Sequence, residues 1–112
     1  MLCGPQVPAG RYARAALASA GVAVRSASDE PSVSAALRRV ALGEADAAIV
    51  YATDAAAAAD EVGAVGIPDA RTPDIEYPIV ALEDSSAAVG FVEFVLGPEG
   101  RGVLQAHGFG TP

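Results

Sequence analysis

Apolar residues recur along this chain in two rhythms. Val33, Ala36, Leu37 and Val40 stand at i, i+3, i+4 and i+7, one stripe of a helix over residues 33–42. Ser32 suits its N-cap and Gly43 its stop. Ala88, Phe91, Val92 and Val95 repeat that spacing and predict a helix over 85–96. Gly97-Pro98 breaks it and opens another helix to about His107, because proline fits a first helical turn. The alanine-rich stretch 10–20 reads as a further helix, closed by Gly21. The second rhythm is the short continuous apolar run. Residues 47–51, with Ile49-Val50 inside, predict a buried strand of a parallel sheet. Residues 62–67 predict a second strand, stopped by Pro68. Residues 75–82 predict a third, at an edge or crossing because Pro78 lacks a donor. Thr53 or Asp54 is expected to cap a short helix through Ala59, and 21–31 and 68–74 read as loops. Strands alternating with helices indicate an α/β layer fold.

Composition narrows the class. The chain has 112 residues, 52% of them hydrophobic, enough for one small domain with a real core and too apolar for disorder. No run of about 18 apolar residues occurs. The net charge is −7, and all seven basic residues are arginines, adjacent only at Arg38-Arg39. That argues against a nucleic-acid partner. It also means that a bound anion is not drawn in by net charge. Cys3, the one cysteine, cannot form an internal disulfide and reads as a small buried residue or a chance terminal thiol. No basic and apolar leader precedes the first motif, so a signal peptide is not expected here, and the start looks abrupt.

Three positions could carry chemistry. In Val7-Pro8-Ala9-Gly10-Arg11-Tyr12 two very small residues, Ala9 and Gly10, stand at a helix start, where unpaired N–H groups and the helix dipole favour an oxyanion. Ser32-Val33 opens the next helix in the same way. Tyr51 ends a predicted strand, and ligands of open α/β sheets bind beyond such carboxyl ends. Singly, each is an ordinary structural feature. Catalytic readings are poor. His107 sits in a last helical turn, away from any nucleophile, and Asp54, Asp60 and Glu61 lack metal-site spacing and read as solvated caps and surface charges. No nucleophile elbow, phosphate loop or dinucleotide fingerprint occurs, so no enzyme is expected and no metal is held by side chains.

The order of motifs says more. Val7-Pro8-Ala9-Gly10-Arg11-Tyr12-Ala13 is followed by Ser32-Val33-Ser34-Ala35-Ala36-Leu37. Then comes Gly43-Glu44-Ala45-Asp46-Ala47-Ala48-Ile49-Val50-Tyr51-Ala52-Thr53-Asp54-Ala55, and later Tyr77-Pro78-Ile79-Val80. Phe91-Val92-Glu93-Phe94-Val95-Leu96-Gly97-Pro98-Glu99-Gly100 and His107-Gly108-Phe109 close the series. Over nearly its whole length the chain resembles the second half of the molybdate-binding (ModA) proteins of bacterial ABC importers. The resemblance implies one lobe of a type II periplasmic-binding-protein fold, a short and mostly parallel sheet flanked by helices. Residues 1–76 would form the ligand-binding lobe, and 77–112 a return strand with C-terminal helices. It further implies that Ala9 and Val33 offer backbone N–H groups to a molybdate or tungstate dianion. The Tyr51 hydroxyl would complete this lobe's share, with Gly10 and Ser32 supporting the helix starts. No cofactor is implied.

Two departures are visible. The 21–32 loop is shorter than the family leads one to expect, and the first lobe, with its hydroxyl ligands, is missing. The chain therefore reads as a fragment of a periplasmic or membrane-anchored extracellular binding protein that serves an ABC permease. Surface left open by the missing lobe predicts a homodimer or segment exchange. The alternative is the effector-sensing lobe of a transcription regulator of related fold, which would need a helix-turn-helix segment elsewhere.

Overall fold

Leu2 and Cys3 are both buried, although successive strand residues face opposite ways, so this strand is covered on both faces. A computed structural model describes all residues, Met1–Pro112, which form two units, Met1–Asp74 and Ile75–Pro112. In the first unit β1 (Leu2–Cys3) pairs in parallel with β2 (Asp29–Glu30), Leu2 opposite Asp29 and Cys3 opposite Glu30. The Gly4 N–H extends the ladder to the Glu30 carbonyl at 2.9 Å. On the other side of β1 the Met1 ammonium donates to the Ala47 carbonyl at 2.9 Å, and the Ile49 N–H donates to the Met1 carbonyl at 3.4 Å. Those two bonds straddle Ala48 as one rung of a parallel ladder. Three parallel lines thus run in the order β2, β1, 47–49.

Each line feeds a helix: α1 (Pro8–Ser19), α2 (Val33–Ala41) and α3 (Ala52–Ala57). α1 and α2 both pack on β1. Right-handed crossovers assign them to opposite faces of the sheet. The core between them is made of small side chains: Cys3, Ala13, Ala16 and Ala36 are buried along with Leu2. Arg14 clamps it, donating to the Cys3 carbonyl at 2.7 Å and the Gly10 carbonyl at 3.1 Å while pairing with Asp29 at 2.7 Å. A 3-10 turn at Asp69–Arg71 packs on α1, with Arg71 donating to the Ser19 carbonyl.

The helices agree closely with the periodicity. α2 buries Ala36 and half-buries Val33, Leu37 and Val40, and its Ser32 cap accepts from the Ala35 N–H at 3.2 Å. Gly21 and Gly43 end α1 and α2 at φ +68 and +72, where a side chain would be strained. α1 starts at Pro8 rather than Gly10, since proline is preorganised for the first turn.

The strands differ. Residues 47–51 make a single rung and no regular strand. Residues 62–67 form no strand, and Val65 is 96% exposed: glycines at 63 and 66 flank it and no ladder partner lies alongside. Residues 75–82 also form none, because their unit contains no second strand to pair with. The expected loop 21–31 instead contains β2, whose Asp-Glu sequence carries no apolar signal. α3 is capped by neither Thr53 nor Asp54; Tyr51 is its N-cap and makes no side-chain cap bond.

The second unit is a helical hairpin, α4 (Ser86–Leu96) and α5 (Pro98–Ala106), hinged on Gly97. Ser85 caps α4 through the Ala88 N–H at 3.1 Å. Gly100 lies against the last turn of α4. A Cβ there would stand 2.5 Å from the Phe94 carbonyl oxygen and closer still to that of Val95, whereas one on Gly102 would meet nothing. Tyr77 packs edge-on against Phe109, centroids 6.1 Å apart, and holds the 75–82 segment to the hairpin's end. Two glycines of one helix should therefore respond with opposite sign. Gly100→Ala should lower stability by about 1–3 kcal/mol through overpacking. Gly102→Ala should raise it by up to about 1 kcal/mol through helix propensity. Denaturant melts followed by far-UV circular dichroism check both.

Candidate functional site

Because the three lines are parallel, their carboxyl ends share one edge of the sheet, and α1, α2 and α3 all begin there. With β1 in the middle and α1 and α2 on opposite faces, this is the edge at which open α/β sheets bind ligands. Ala9, Val33 and Tyr51 lie at the starts of these three helices, so the sequence-derived positions come to one side of the unit.

The α1 start is built for close approach. Val7 is an extended N-cap without a side-chain cap bond, and Pro8 has no N–H. The Arg11 N–H is the first to reach back, to the Val7 carbonyl at 3.2 Å, so Ala9 and Gly10 point N–H groups out of the helix end. Gly10 cannot be larger: a Cβ would stand 2.5 Å from the Cys3 carbonyl oxygen and closer still to that of Gly4. At α2 the Ser32 hydroxyl takes the Ala35 N–H and the Ser32 carbonyl takes that of Ala36, which leaves Val33 and Ser34 for an outside acceptor.

Tyr51 contributes differently. Its carbonyl accepts from the Asp54 and Ala55 N–H groups, both at 3.1 Å, and starts α3. Its half-buried ring packs edge-to-face on Tyr12, with centroids 6.5 Å apart and planes at 61°. Tyr12 is three residues beyond Ala9 on the same face of α1, so this contact ties Tyr51 to the first turn of α1. In the sequence Tyr12 stands only as one member of the Val7–Ala13 motif. Its spacing from Ala9 was the available signal.

Charge near the edge is largely committed. Arg14 is held by two carbonyls and Asp29. Arg39 lies between buried Glu30 at 3.3 Å and Glu44 at 2.7 Å, and the hydrogen bond to Glu44 above all keeps its guanidinium protonated. Glu30 also accepts from the Ser28 hydroxyl at 2.6 Å. Asp54, expected as a solvated cap, instead buries Oδ2 without a hydrogen-bond partner in the first turn of α3. Its negative charge complements the positive end of that short helix. Positive potential for a ligand therefore falls to the backbone of α1 and α2.

No triad of metal-ligating side chains forms. His107 is the C-cap of α5, in the second unit. Cys3 is fully buried, and desolvation, then Glu30 and Asp54, push its thiol above the ordinary 9.0 against a smaller opposing effect of Arg14. A thiol held protonated is a poor nucleophile.

The model of a bacterial extracellular solute-binding protein family matches residues 2–110. The chain is 35% identical over 115 aligned residues to proteins named molybdate-binding protein ModA from Mycobacterium bovis and Mycobacterium tuberculosis. That alignment covers 100% of this chain and 44% of each relative, so the chain spans less than half their length. No solved structure matches significantly. No helix is long and apolar enough to cross a membrane.

The Cys3 environment gives a pH dependence. Its folded pKa lies above the unfolded value, so its contribution to stability is full below 9.0 and is lost as pH rises through the folded pKa. Melts from neutral to strongly alkaline pH should show native stability falling above 9.0, with a shallower fall in Cys3→Ala. At neutral pH an aromatic disulfide reagent should modify Cys3 only as fast as the unit opens.

Proposed function

The chain belongs to the bacterial extracellular solute-binding protein family, and from that premise we propose that it is one lobe of a protein that captures molybdate. The observation that carries this reading is the parallel ladder, which brings the starts of α1 and α2 and Tyr51 to one edge. Ala9 and Val33 donate backbone N–H groups to two oxygens of the tetrahedral dianion, and the Tyr51 hydroxyl donates to it as well. Gly10 and Ser32 shape the two helix starts. No cation or cofactor takes part: aligned peptide dipoles and neutral donors stabilise the charge, and the room between them selects the ion by size. Tungstate, of the same shape and charge, fits the same donors.

The role is binding without catalysis. The donors stabilise a ground-state anion, and neither the protonated Cys3 nor His107 offers a nucleophile–base pair at this edge. In the longer protein a second set of donors covers the other face of the ion, and the loaded protein serves an ABC permease from the periplasm or from an extracellular membrane anchor. Nothing in the comparisons favours the regulator alternative; the family model and the named relatives both describe binding proteins.

A lobe with half the donors binds weakly. Titrating the chain with sodium molybdate by amide NMR should move the Ala9, Gly10, Val33 and Ser34 resonances and the Tyr51 ring, with smaller shifts from sulfate. Unmoved resonances at millimolar molybdate would refute the site, and submicromolar affinity by calorimetry would refute the half-site. The chain also pairs with a second copy of itself. Phe91 is 62% exposed and Phe94 53%, and α4 buries no residue at all. Light scattering should show mass rising with concentration, and Phe91→Ser should reduce it.

A further inference from the structure

We infer that Tyr12 is the positioning residue for Tyr51: its ring fixes the rotamer in which the Tyr51 hydroxyl addresses the edge shared by α1 and α2. The use of that hydroxyl rests on the oxyanion reading above, whereas the fixing of the ring does not.

Tyr51 sits where the chain turns from the 47–49 line into α3, and its backbone is extended, φ −72 and ψ 152. At such a junction the backbone alone leaves χ1 a choice of staggered wells, and each well would aim the hydroxyl differently. Tyr51 is the N-cap of α3 and makes no side-chain cap bond to it. The Tyr12 ring packs against Tyr51 from another element and narrows that choice. The edge-to-face geometry, 6.5 Å and 61°, is the arrangement in which the positive rim of one ring meets the negative face of the other.

The position of Tyr12 is itself tightly set. α1 is locked to the end of β1 by Gly10, which admits no Cβ, and by Arg14, whose guanidinium joins the Cys3 and Gly10 carbonyls. Tyr12 lies between those two residues in α1. The ring of Tyr51 is therefore referred, through Tyr12, to the same turn of helix that carries the Ala9 N–H. The two donors keep a fixed spacing although they belong to elements that are joined by a single ladder rung.

The test compares Tyr12→Leu and Tyr12→Phe with the unmodified chain. Without ligand, the Tyr51 χ1 couplings measured by NMR should report one rotamer in the parent, averaging in Tyr12→Leu, and recovery in Tyr12→Phe, which keeps the ring. With sodium molybdate, Tyr12→Leu should weaken binding by about threefold to tenfold, the worth of an aromatic pair expressed as a ratio. The Val33 amide should still shift at saturation, and Tyr12→Phe should bind as the parent does. If Tyr12→Leu fails to fold, Tyr12→Met replaces it, with the same expectations. A Tyr51 rotamer unchanged by loss of the Tyr12 ring overturns the inference. So does a Tyr12→Phe variant as damaged as Tyr12→Leu, which would make the Tyr12 hydroxyl the acting group. If the parent shows no molybdate shifts at all, the oxyanion reading fails, and the ligand-free couplings still decide the role of Tyr12.

Discussion

The fit of the first turn of α1 against the end of β1 is the constraint on which the first unit depends. β1 and β2 are two residues each, too short to hold a sheet by their own ladder. What fixes β1 is the helix that follows it. Gly10 lets the α1 backbone come down onto the Cys3 and Gly4 carbonyls, and Arg14, one turn on, bonds to the Cys3 carbonyl and reaches across to Asp29 of β2. The exposed Arg14–Asp29 pair adds little by charge alone, about 0–1 kcal/mol. Its geometric effect is larger, because one side chain registers α1, β1 and β2 together. α2 then closes the other face with Ala36, a residue small enough for two short elements to meet.

This dependence explains which elements the sequence revealed. α1, α2, α4 and α5 were visible because their signals are local: a stripe at i, i+3, i+4 and i+7, a serine cap, a glycine in the left-handed region, a proline at the first turn. Strands are defined by a neighbour, and the neighbour is remote. Ile49-Val50 and the 62–67 run have strand-like composition, yet the first makes one rung and the second none. Asp29–Glu30 has no strand-like composition and is a strand, because Leu2–Cys3 lies beside it. The 75–82 run shows the same effect most clearly, with Val80 and Leu82 exposed at 73% and 92%.

The candidate site divides along the same line. Ala9 and Val33 were readable as helix starts from Pro8 and Ser32, which are neighbours in sequence. That they share an edge follows only from the parallel register, which no periodicity encodes. The role of Tyr12 is not legible in its motif, because its partner, Tyr51, is distant in sequence and meets it only once α1 and the 47–49 line flank one another. Asp54 illustrates the reverse error. A carboxylate near a helix start was expected in water, and it is turned inward instead, where it offsets the end of α3.

That inward carboxylate bears on where positive potential lies at the candidate site of an acidic chain. A site built on arginine would attract every anion in proportion to charge, and the long side chain would adapt to ions of different size. Here the arginines nearest the edge are already engaged with carbonyls and carboxylates, and α3 has its positive end met by Asp54. Of the three helices that begin at this edge, α1 and α2 keep uncommitted positive ends, whose backbone N–H groups cannot swing. Donors of that kind give little attraction at long range and a steep dependence on where the oxygens sit. The net charge of −7 then works in the same direction. On the proposed oxyanion reading, it lowers the general affinity for anions and leaves binding to those whose geometry satisfies the fixed donors together, the Tyr51 hydroxyl among them.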